Sequence, residues 1–236
     1  MTLKLVALCN AVAIAVFAGS AAAVERQAAE EAQRLQFHFT PERGWMNDPN
    51  GLCRYRGEWH LFYQSNPDGL SWGNMRWGHA VSKDLVRWKR LPVALEADQY
   101  GTVFSGSAVI DHENVAGFGK DELLLFYTAA GKTFTQRMAH SGDGRTFEKV
   151  PGDPVLPTHG PQNRDPHVFR YRDGRWVMVV YVPGKGRHNF NIYNSTDLKN
   201  WKLASVYGGP TFEEIDFYDW ELPQLFELPG TAHGKQ

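Results

Sequence analysis

The chain has 236 residues, and its 25 Lys and Arg nearly balance its 26 Asp and Glu, which leaves a net charge of −1 at pH 7. A surface so close to neutral argues against nucleic acid or an anionic membrane as the partner. The length is ample for one hydrophobic core, and aromatic residues make up 13% of the chain. Trp-rich exported proteins often stack these rings on sugars, although core packing is the default role of any single Trp.

The first 23 residues have the features of a secretory signal peptide. Lys4 supplies a positive charge, Leu5–Phe17 is almost entirely apolar, and Ala21–Ala23 provides small residues for cleavage. An uncleaved membrane anchor is the alternative, but the apolar run is short and ends in small residues. We therefore predict a signal peptide at 1–23, a polar leader at 24–36, and a secreted or periplasmic protein without stable membrane association after cleavage.

The cysteines exclude an intrachain disulfide in the mature chain. Cys9 leaves with the signal peptide, so only Cys53 remains. Cys53 lies in an apolar strand pattern, which predicts a buried small hydrophobic residue rather than a nucleophile.

From residue 37 onwards, the pattern is typical of an all-β chain. Short β-branched and aromatic runs alternate with Gly, Pro, Asn and Asp turns. The runs recur as units 56 to 59 residues apart, which begin at Asp48, Gly106, Asp165 and Glu221. Each of the first three units ends in a Ser-x-Asp element closed by an aromatic residue, at Ser82–Trp88, Ser141–Phe147 and Ser195–Trp201. The Ser and Asp side chains suit a turn, which the aromatic ring can lock to a neighbouring strand.

Units of this length with four strands predict propeller blades. A solenoid is the alternative, but solenoid repeats are usually shorter and their strands parallel. The unit starts predict three complete blades and the first strand of a fourth. Because the innermost strands of a propeller surround its axis, Asp48, Asp165 and Glu221 would converge on one mouth of the channel.

Convergent carboxylates point to catalysis. Acids directed at one point repel each other and lose hydration, which a reaction centre tolerates more readily than a structural core. One acid can serve as nucleophile and another as general acid, the pair required to cleave a glycosidic bond. Taken alone, Asn47–Gly51 is also a turn composition and Arg164–Asp165 a possible ion pair. The common register of the three acids favours the catalytic interpretation.

The motifs around these acids carry a family resemblance. They are Trp45–Gly51, His60–Gln64, Asn66–Pro67, Trp72–Asn74, Trp77–His79, Phe104–Ser107, Arg164–Pro166 and Trp220–Pro223. In this order and spacing they resemble glycoside hydrolase family 32, the β-fructosidases that include invertases, levanases and exo-inulinases. The resemblance extends from about residue 37 to residue 229.

The resemblance implies a role for each matching residue. Asp48 corresponds to the nucleophile, Glu221 to the general acid/base and Asp165 to the transition-state stabiliser. The residues that correspond to the lining of the fructose pocket are Asn47, Gln64, Trp72, Phe104, Ser105 and Arg164. The mechanism would be retaining, which fits two carboxyl groups about 5–5.5 Å apart. We expect no cofactor and no metal ion.

The chain departs from the family pattern in two ways. The family usually has Cys after the acid/base Glu and often an acid after the following Pro, where this chain has Leu222 and Gln224. Family members have a five-bladed propeller and a C-terminal β-sandwich. We therefore expect a partial propeller at 37–236 that lacks the C-terminal blades and the sandwich.

Together these observations predict a retaining glycoside hydrolase that releases terminal β-linked fructose from levan, inulin or sucrose. Its partner would be a carbohydrate substrate. A fructosyltransferase is one alternative, because it shares all three acids. The others are a non-catalytic fructan-binding module and an inactive truncated fragment.

Overall fold

The computed structural model describes Leu35 and residues 38–184, 187–208 and 220–226. The predicted signal peptide and nearly all of the predicted leader lie outside these residues, so both stay predictions. The chain divides into two compact units, 1–40 and 41–236, and the fold below belongs to the second. Within the described residues, no helix has the length and apolar character needed to span a membrane.

The second unit contains three antiparallel sheets, each made of four strands that are consecutive in sequence. The strands are β1 Trp45–Tyr55, β2 Glu58–Asn66, β3 Arg76–Ser82, β4 Trp88–Leu95, β5 Thr102–Asp111, β6 Glu122–Ala130, β7 Phe134–Ser141, β8 Glu148–Lys149, β9 Arg164–Arg170, β10 Trp176–Gly184, β11 Arg187–Ser195 and β12 Lys202–Gly208. All pairings in these sheets are antiparallel, which excludes the solenoid for this part of the chain. Each sheet is one predicted unit, so the three propeller blades are confirmed.

The strands that open the three sheets, β1, β5 and β9, lie side by side. Side chains join them directly. Asn50 Oδ1 accepts a hydrogen bond from the Gly106 backbone N–H at 3.0 Å, which links β1 to β5. Ser107 Oγ donates to the Pro166 carbonyl at 2.8 Å and accepts from the Val168 N–H at 2.9 Å, which links β5 to β9. The predicted starts of the units are therefore neighbours in space.

The second sheet is buried on both faces, which explains the unbroken apolar run Leu123–Tyr127 in β6. Successive side chains of a strand point to opposite faces of the sheet. The odd-numbered residues of the run belong to one hydrophobic cluster with Phe62 and Trp77 of the first sheet. The even-numbered residues belong to another with Met178 and Val180 of the third sheet. The sheets thus pack face to face, as propeller blades do.

The Ser-x-Asp elements form one repeated turn. In the first, Ser82 Oγ accepts from the Leu85 N–H at 2.9 Å, Asp84 Oδ1 accepts from two later N–H groups at 2.9 and 2.7 Å, and Trp88 Nε1 donates to the Leu85 carbonyl at 3.2 Å. The third element repeats these contacts at Ser195, Asp197, Leu198 and Trp201. The residue after each Asp has a left-handed backbone, with φ of 63° at Leu85, 68° at Gly144 and 63° at Leu198. The predicted turn is confirmed, and the left-handed position is an addition to it.

Residues 220–226, which we expected to begin the fourth blade, are not assigned to a strand. Leu222 has a φ of 49°, outside the extended region, and Pro223 has no N–H to donate to a sheet. The segment instead contacts β9 through individual bonds. The Leu222 N–H donates to Asp165 Oδ2 at 3.1 Å, and the Arg164 guanidinium donates to Glu221 Oε1.

Cys53 is half-buried and packs against the hydrophobic cluster between the first and second sheets. Burial raises the pKa of its thiol to about 12. The thiolate required for nucleophilic attack therefore does not form at neutral pH, which agrees with the predicted packing role.

Candidate active site

Five of the predicted site residues lie where the innermost strands lose regular pairing with their neighbours. These irregularities contain Asn47 and Asp48 in β1, Phe104 and Ser105 in β5, and Asp165 in β9. A bulge bends its strand and changes the direction of a side chain, and bulges are frequent beside active sites. Three adjacent strands thus present the predicted residues at equivalent irregularities.

Asp48 is fixed by two hydrogen bonds from neighbouring elements. Its Oδ2 accepts from Gln64 Nε2 at 2.8 Å and from Ser105 Oγ at 2.7 Å. Gln64 Nε2 also lies 2.6 Å from Ser105 Oγ, so the three side chains form one closed network. The other amide atom, Gln64 Oε1, is buried without a hydrogen-bond partner in the described residues. A ligand hydroxyl could satisfy this acceptor.

Asp165 is the buried acid of the site, with 4% of its surface exposed. Its backbone is left-handed, with a φ of 63°, and its N–H donates to Thr128 Oγ1 at 3.0 Å. Burial raises the pKa of Asp165 to about 7, and the negative charges of Glu221 and Asp48 add to the rise. The Leu222 N–H and the Arg164 charge oppose it. The other two predicted acids therefore lie near enough to Asp165 to contribute to its raised pKa.

Arg164 joins two of the predicted acids. Its buried guanidinium donates to Glu221 Oε1 from Nε at 3.3 Å and from Nη2 at 3.1 Å. The same Nε lies 3.9 Å from Asp165 Oδ2. The Glu221 side chain is 53% exposed, against 4% for Asp165. One acid thus meets solvent while the other is enclosed.

The predicted aromatic residues form part of a larger cluster. The Trp72 ring, 56% exposed, meets Phe104 edge to face at 5.7 Å. Phe104 in turn meets Phe134 at 5.4 Å. Trp77 is fully buried, and its Nε1 donates to the Phe104 carbonyl at 2.9 Å. Trp77 is therefore a core residue, whereas Trp72 stays accessible at the site.

The remaining predicted lining residue, Asn47, lies beside the nucleophile candidate. Its Oδ1 accepts from Trp45 Nε1 at 2.9 Å. Asn47 is half-buried, so the side chain is held at an accessible position next to Asp48.

Sequence reasoning missed the buried support beneath Asp165. Thr128 Oγ1 donates to Gln136 Oε1 at 2.6 Å, and Gln136 Nε2 donates to the Asn163 carbonyl at 3.0 Å. The pair therefore contacts the chain at Asn163 and again at Asp165. The repeat contained a signal for it, because Thr128 follows Phe-Tyr in its unit just as Gln64 follows Phe-Tyr in the first.

The structure shows no metal centre in the residues it describes. Across those ranges, no three His, Cys, Asp or Glu side chains are grouped so that they could hold a metal ion. The absence of metal stays a prediction for the chain as a whole.

A comparison with protein-family models matches residues 38–236 to the N-terminal domain of glycosyl hydrolases family 32. The chain belongs to this family. As a family 32 chain it is 48% identical over 224 residues to the levanase of Bacillus subtilis (strain 168), an alignment that covers 92% of the chain and 32% of the levanase. It is 40% identical over 255 residues to the extracellular exo-inulinase inuE of Aspergillus niger, an alignment that covers 94% of this chain and 46% of the inulinase.

Solved structures of family 32 enzymes have the same fold. The β-fructofuranosidase BmSUC1 of Bombyx mori is similar with a TM-score of 0.74 and 36% identity, over 87% of this chain and 45% of that one. The exo-inulinase of Aspergillus awamori is similar with a TM-score of 0.67 and 39% identity, over 74% of this chain and 40% of that one. The chain spans less than half the length of these relatives. The family and the propeller fold are confirmed, and the roles of individual residues stay predictions.

Proposed function

We propose that this chain carries the active site of a retaining β-fructosidase that releases terminal β-linked fructose from levan, inulin or sucrose. The observation that carries the proposal is the set of three predicted carboxyl groups in three different environments. Asp48 is held by two donors, Asp165 is buried, and Glu221 is exposed and held by Arg164. Relatives named levanase, exo-inulinase and invertase support this substrate class.

In the first step, the Asp48 carboxylate attacks the anomeric carbon of the terminal fructose. Gln64 and Ser105 both bind Oδ2, which orients the carboxylate and leaves Oδ1 for the new bond. Glu221 donates its proton to the leaving glycosidic oxygen, so the alcohol departs neutral and a fructosyl ester remains on Asp48.

In the second step, water replaces the departed alcohol. Glu221, now ionised, accepts a proton from this water, whose oxygen attacks the anomeric carbon and releases the Asp48 carboxylate. The exposure of Glu221 supports this role, because the acid/base must meet incoming water. Two displacements at one carbon return the original configuration.

Asp165 would bind the hydroxyl groups of the same fructose unit. With a pKa near 7, it can either donate or accept a hydrogen bond at neutral pH. Such bonds become stronger in the transition state of glycoside cleavage. The exposed Trp72 face suits the C–H side of a sugar.

Carbohydrate complexes of relatives agree with this substrate class. The Bombyx mori enzyme has been solved with sucrose, and the fructan 1-exohydrolase IIa of Cichorium intybus with 1-kestose. Several relatives are named as extracellular enzymes, which supports export of this chain by its predicted signal peptide.

The test is fructose release from sucrose, levan and inulin by the chain and its variants. We expect Asp48→Asn and Glu221→Gln each to lower turnover by on the order of 10²-fold or more. Glu113→Gln is a matched control, because Glu113 is 56% exposed and paired with Arg170, much as Glu221 is paired with Arg164. We expect this control to keep the activity.

Two results would contradict the proposal. Transfer of fructose to a second sucrose as the main reaction would identify a fructosyltransferase. A cooperatively folded chain that binds fructans but releases no fructose would identify a binding module.

A further inference from the structure

The position of Glu221 does not depend on sheet hydrogen bonds. Residues 220–226 have no strand assignment, so side-chain contacts must position the carboxyl group. One set of contacts runs through Arg164, which binds Glu221 directly. A second set runs through Trp220, the residue before it.

Trp220 lies flat on two rings of β11. Its ring centroid is 5.5 Å from that of His188 with planes 20° apart, and 5.3 Å from that of Phe190 with planes 29° apart. His188 and Phe190 are two residues apart, so they share one face of the strand. Together they form a flat platform for the indole, and stacked rings of this kind resist sliding and tilting.

Tyr181 connects this platform to the other set of contacts. Its hydroxyl is hydrogen-bonded to His188 Nδ1 at 2.7 Å, which fixes the plane of the imidazole. The Arg164 guanidinium carbon lies 4.7 Å from the centroid of the Tyr181 ring. Tyr181 is fully buried and pairs with Arg164 on one side and Phe190 on the other. The supports of Trp220 and of Glu221 therefore meet at one rigid side chain.

We propose that His188 is a positioning residue for Glu221, which acts by holding the indole of Trp220. This inference rests on the proposed function, in which Glu221 is the general acid. A general acid must lie within hydrogen-bond reach of the atom that it protonates. A displacement of about 1 Å can lower the rate on the order of 10²-fold. His188 itself needs no contact with substrate.

The test compares two substrates that differ in their need for a proton. The glycosidic oxygen of sucrose leaves well only when it is protonated, whereas the fluoride of a β-fructofuranosyl fluoride leaves without help. We expect His188→Ala to lower kcat/KM on sucrose ~10-fold more than kcat/KM on the fluoride, because kcat/KM reports the first step and not the second step that both substrates share. His188→Phe keeps an aromatic platform, so its ratio should stay close to that of the unaltered chain.

Two controls separate positioning from loss of stability. Leu124→Val trims a fully buried core residue of the second sheet, so it should lower the activity on both substrates equally. Glu221→Gln should depress kcat/KM on sucrose more than kcat/KM on the fluoride. If it does not, the proposed role of Glu221 fails, and that outcome differs from an unchanged ratio in His188→Ala alone, which overturns only the role of His188.

A second measurement needs no turnover. The Leu222 N–H is bonded to Asp165 Oδ2, so its hydrogen exchange reports whether the 220–226 segment is in place. We expect faster exchange at Leu222 in His188→Ala than in Leu124→Val of equal global stability. Equal exchange in the two variants would overturn the proposal whatever the kinetics show.

Discussion

Replacing Asp165 by Asn should stabilise the folded chain at neutral and higher pH while it removes activity. Burial raises the pKa of this carboxyl group from 3.8 to about 7. A raised pKa means that the folded state binds the proton more tightly than the unfolded state. The contribution of Asp165 to the free energy of unfolding is therefore most favourable below about pH 4 and is lost as the pH rises to 7. The full loss amounts to about 4 kcal/mol.

The amide of Asn cannot ionise, so the variant escapes this loss. Its Oδ1 can still accept the Leu222 N–H, which now binds Asp165 Oδ2. Urea denaturation of both proteins from pH 4 to pH 9 measures the effect. The difference in unfolding free energy should grow between pH 4 and pH 7 in favour of Asp165→Asn and then level off.

A second buried aspartate provides the control. Asp111 is 1% exposed, and its carboxylate accepts the N–H groups of Val115 and Ala116 at 3.0 and 2.8 Å. Asp111→Asn should lower stability at neutral pH, because one amide oxygen replaces two charged acceptors. If Asp165→Asn is no more stable than the unaltered chain at pH 8, the reasoning from burial is wrong.

Two further predictions concern stability. Leu85 and Leu198 share a φ of 63° in the same turn, but Leu85 is 44% exposed and Leu198 is fully buried. Leu85→Gly should raise the free energy of unfolding by up to about 1 kcal/mol, because it relieves backbone strain at an exposed position. Leu198→Gly should lower it by about 3 kcal/mol or more, because it also empties a buried site. Thermal unfolding measures both, and equal effects would contradict the contrast in burial between the two leucines. His79 Nε2 lies 3.0 Å from His60 Nδ1, and burial lowers the pKa of His79 from 6.5 to about 3. The folded chain therefore loses stability as the pH falls from 6.5 towards 3. His79→Gln should therefore lose about 2 kcal/mol less than the unaltered chain between pH 7.5 and pH 5, as urea denaturation would show, whereas parallel losses would disprove it.

The opposite signs of these two pH effects have a practical consequence. Between pH 4 and pH 7, the Asp165 contribution falls with rising pH while the His79 contribution grows. The two partly cancel in the unaltered chain. Each therefore has to be measured as a difference between a variant and its parent at the same pH.

The blade architecture could be read from the sequence because it is periodic. The spacing of Asp48, Gly106 and Asp165 located the three innermost strands. The unbroken apolar run of β6 is explained by the structure, in which the strand packs against a hydrophobic cluster on each face. The start of the fourth unit was different, since residues 220–226 have no strand assignment where the repeat alone predicts a strand.

The candidate site also has a part that the sequence predicted and a part that only the structure revealed. Residue types and spacing selected the three acids and the motifs around them, because the repeat places equivalent positions at equivalent strands. The repeat marked the position of Thr128, but the structure was needed to show its bonds to Gln136 and Asp165 and the His188 platform under Trp220. Thr128 is distant in sequence from Asp165, and His188 from Trp220, so no local pattern specifies that these side chains meet.

The sequence by itself therefore determined the family, the order of the blades and the acids available for catalysis. The tertiary structure alone decided that Asp165 is enclosed while Glu221 meets solvent on Arg164. The physical reason is that strand periodicity is a local property of the chain. Burial, which sets the pKa of Asp165, and stacking, which places Trp220, depend on atoms brought together through space.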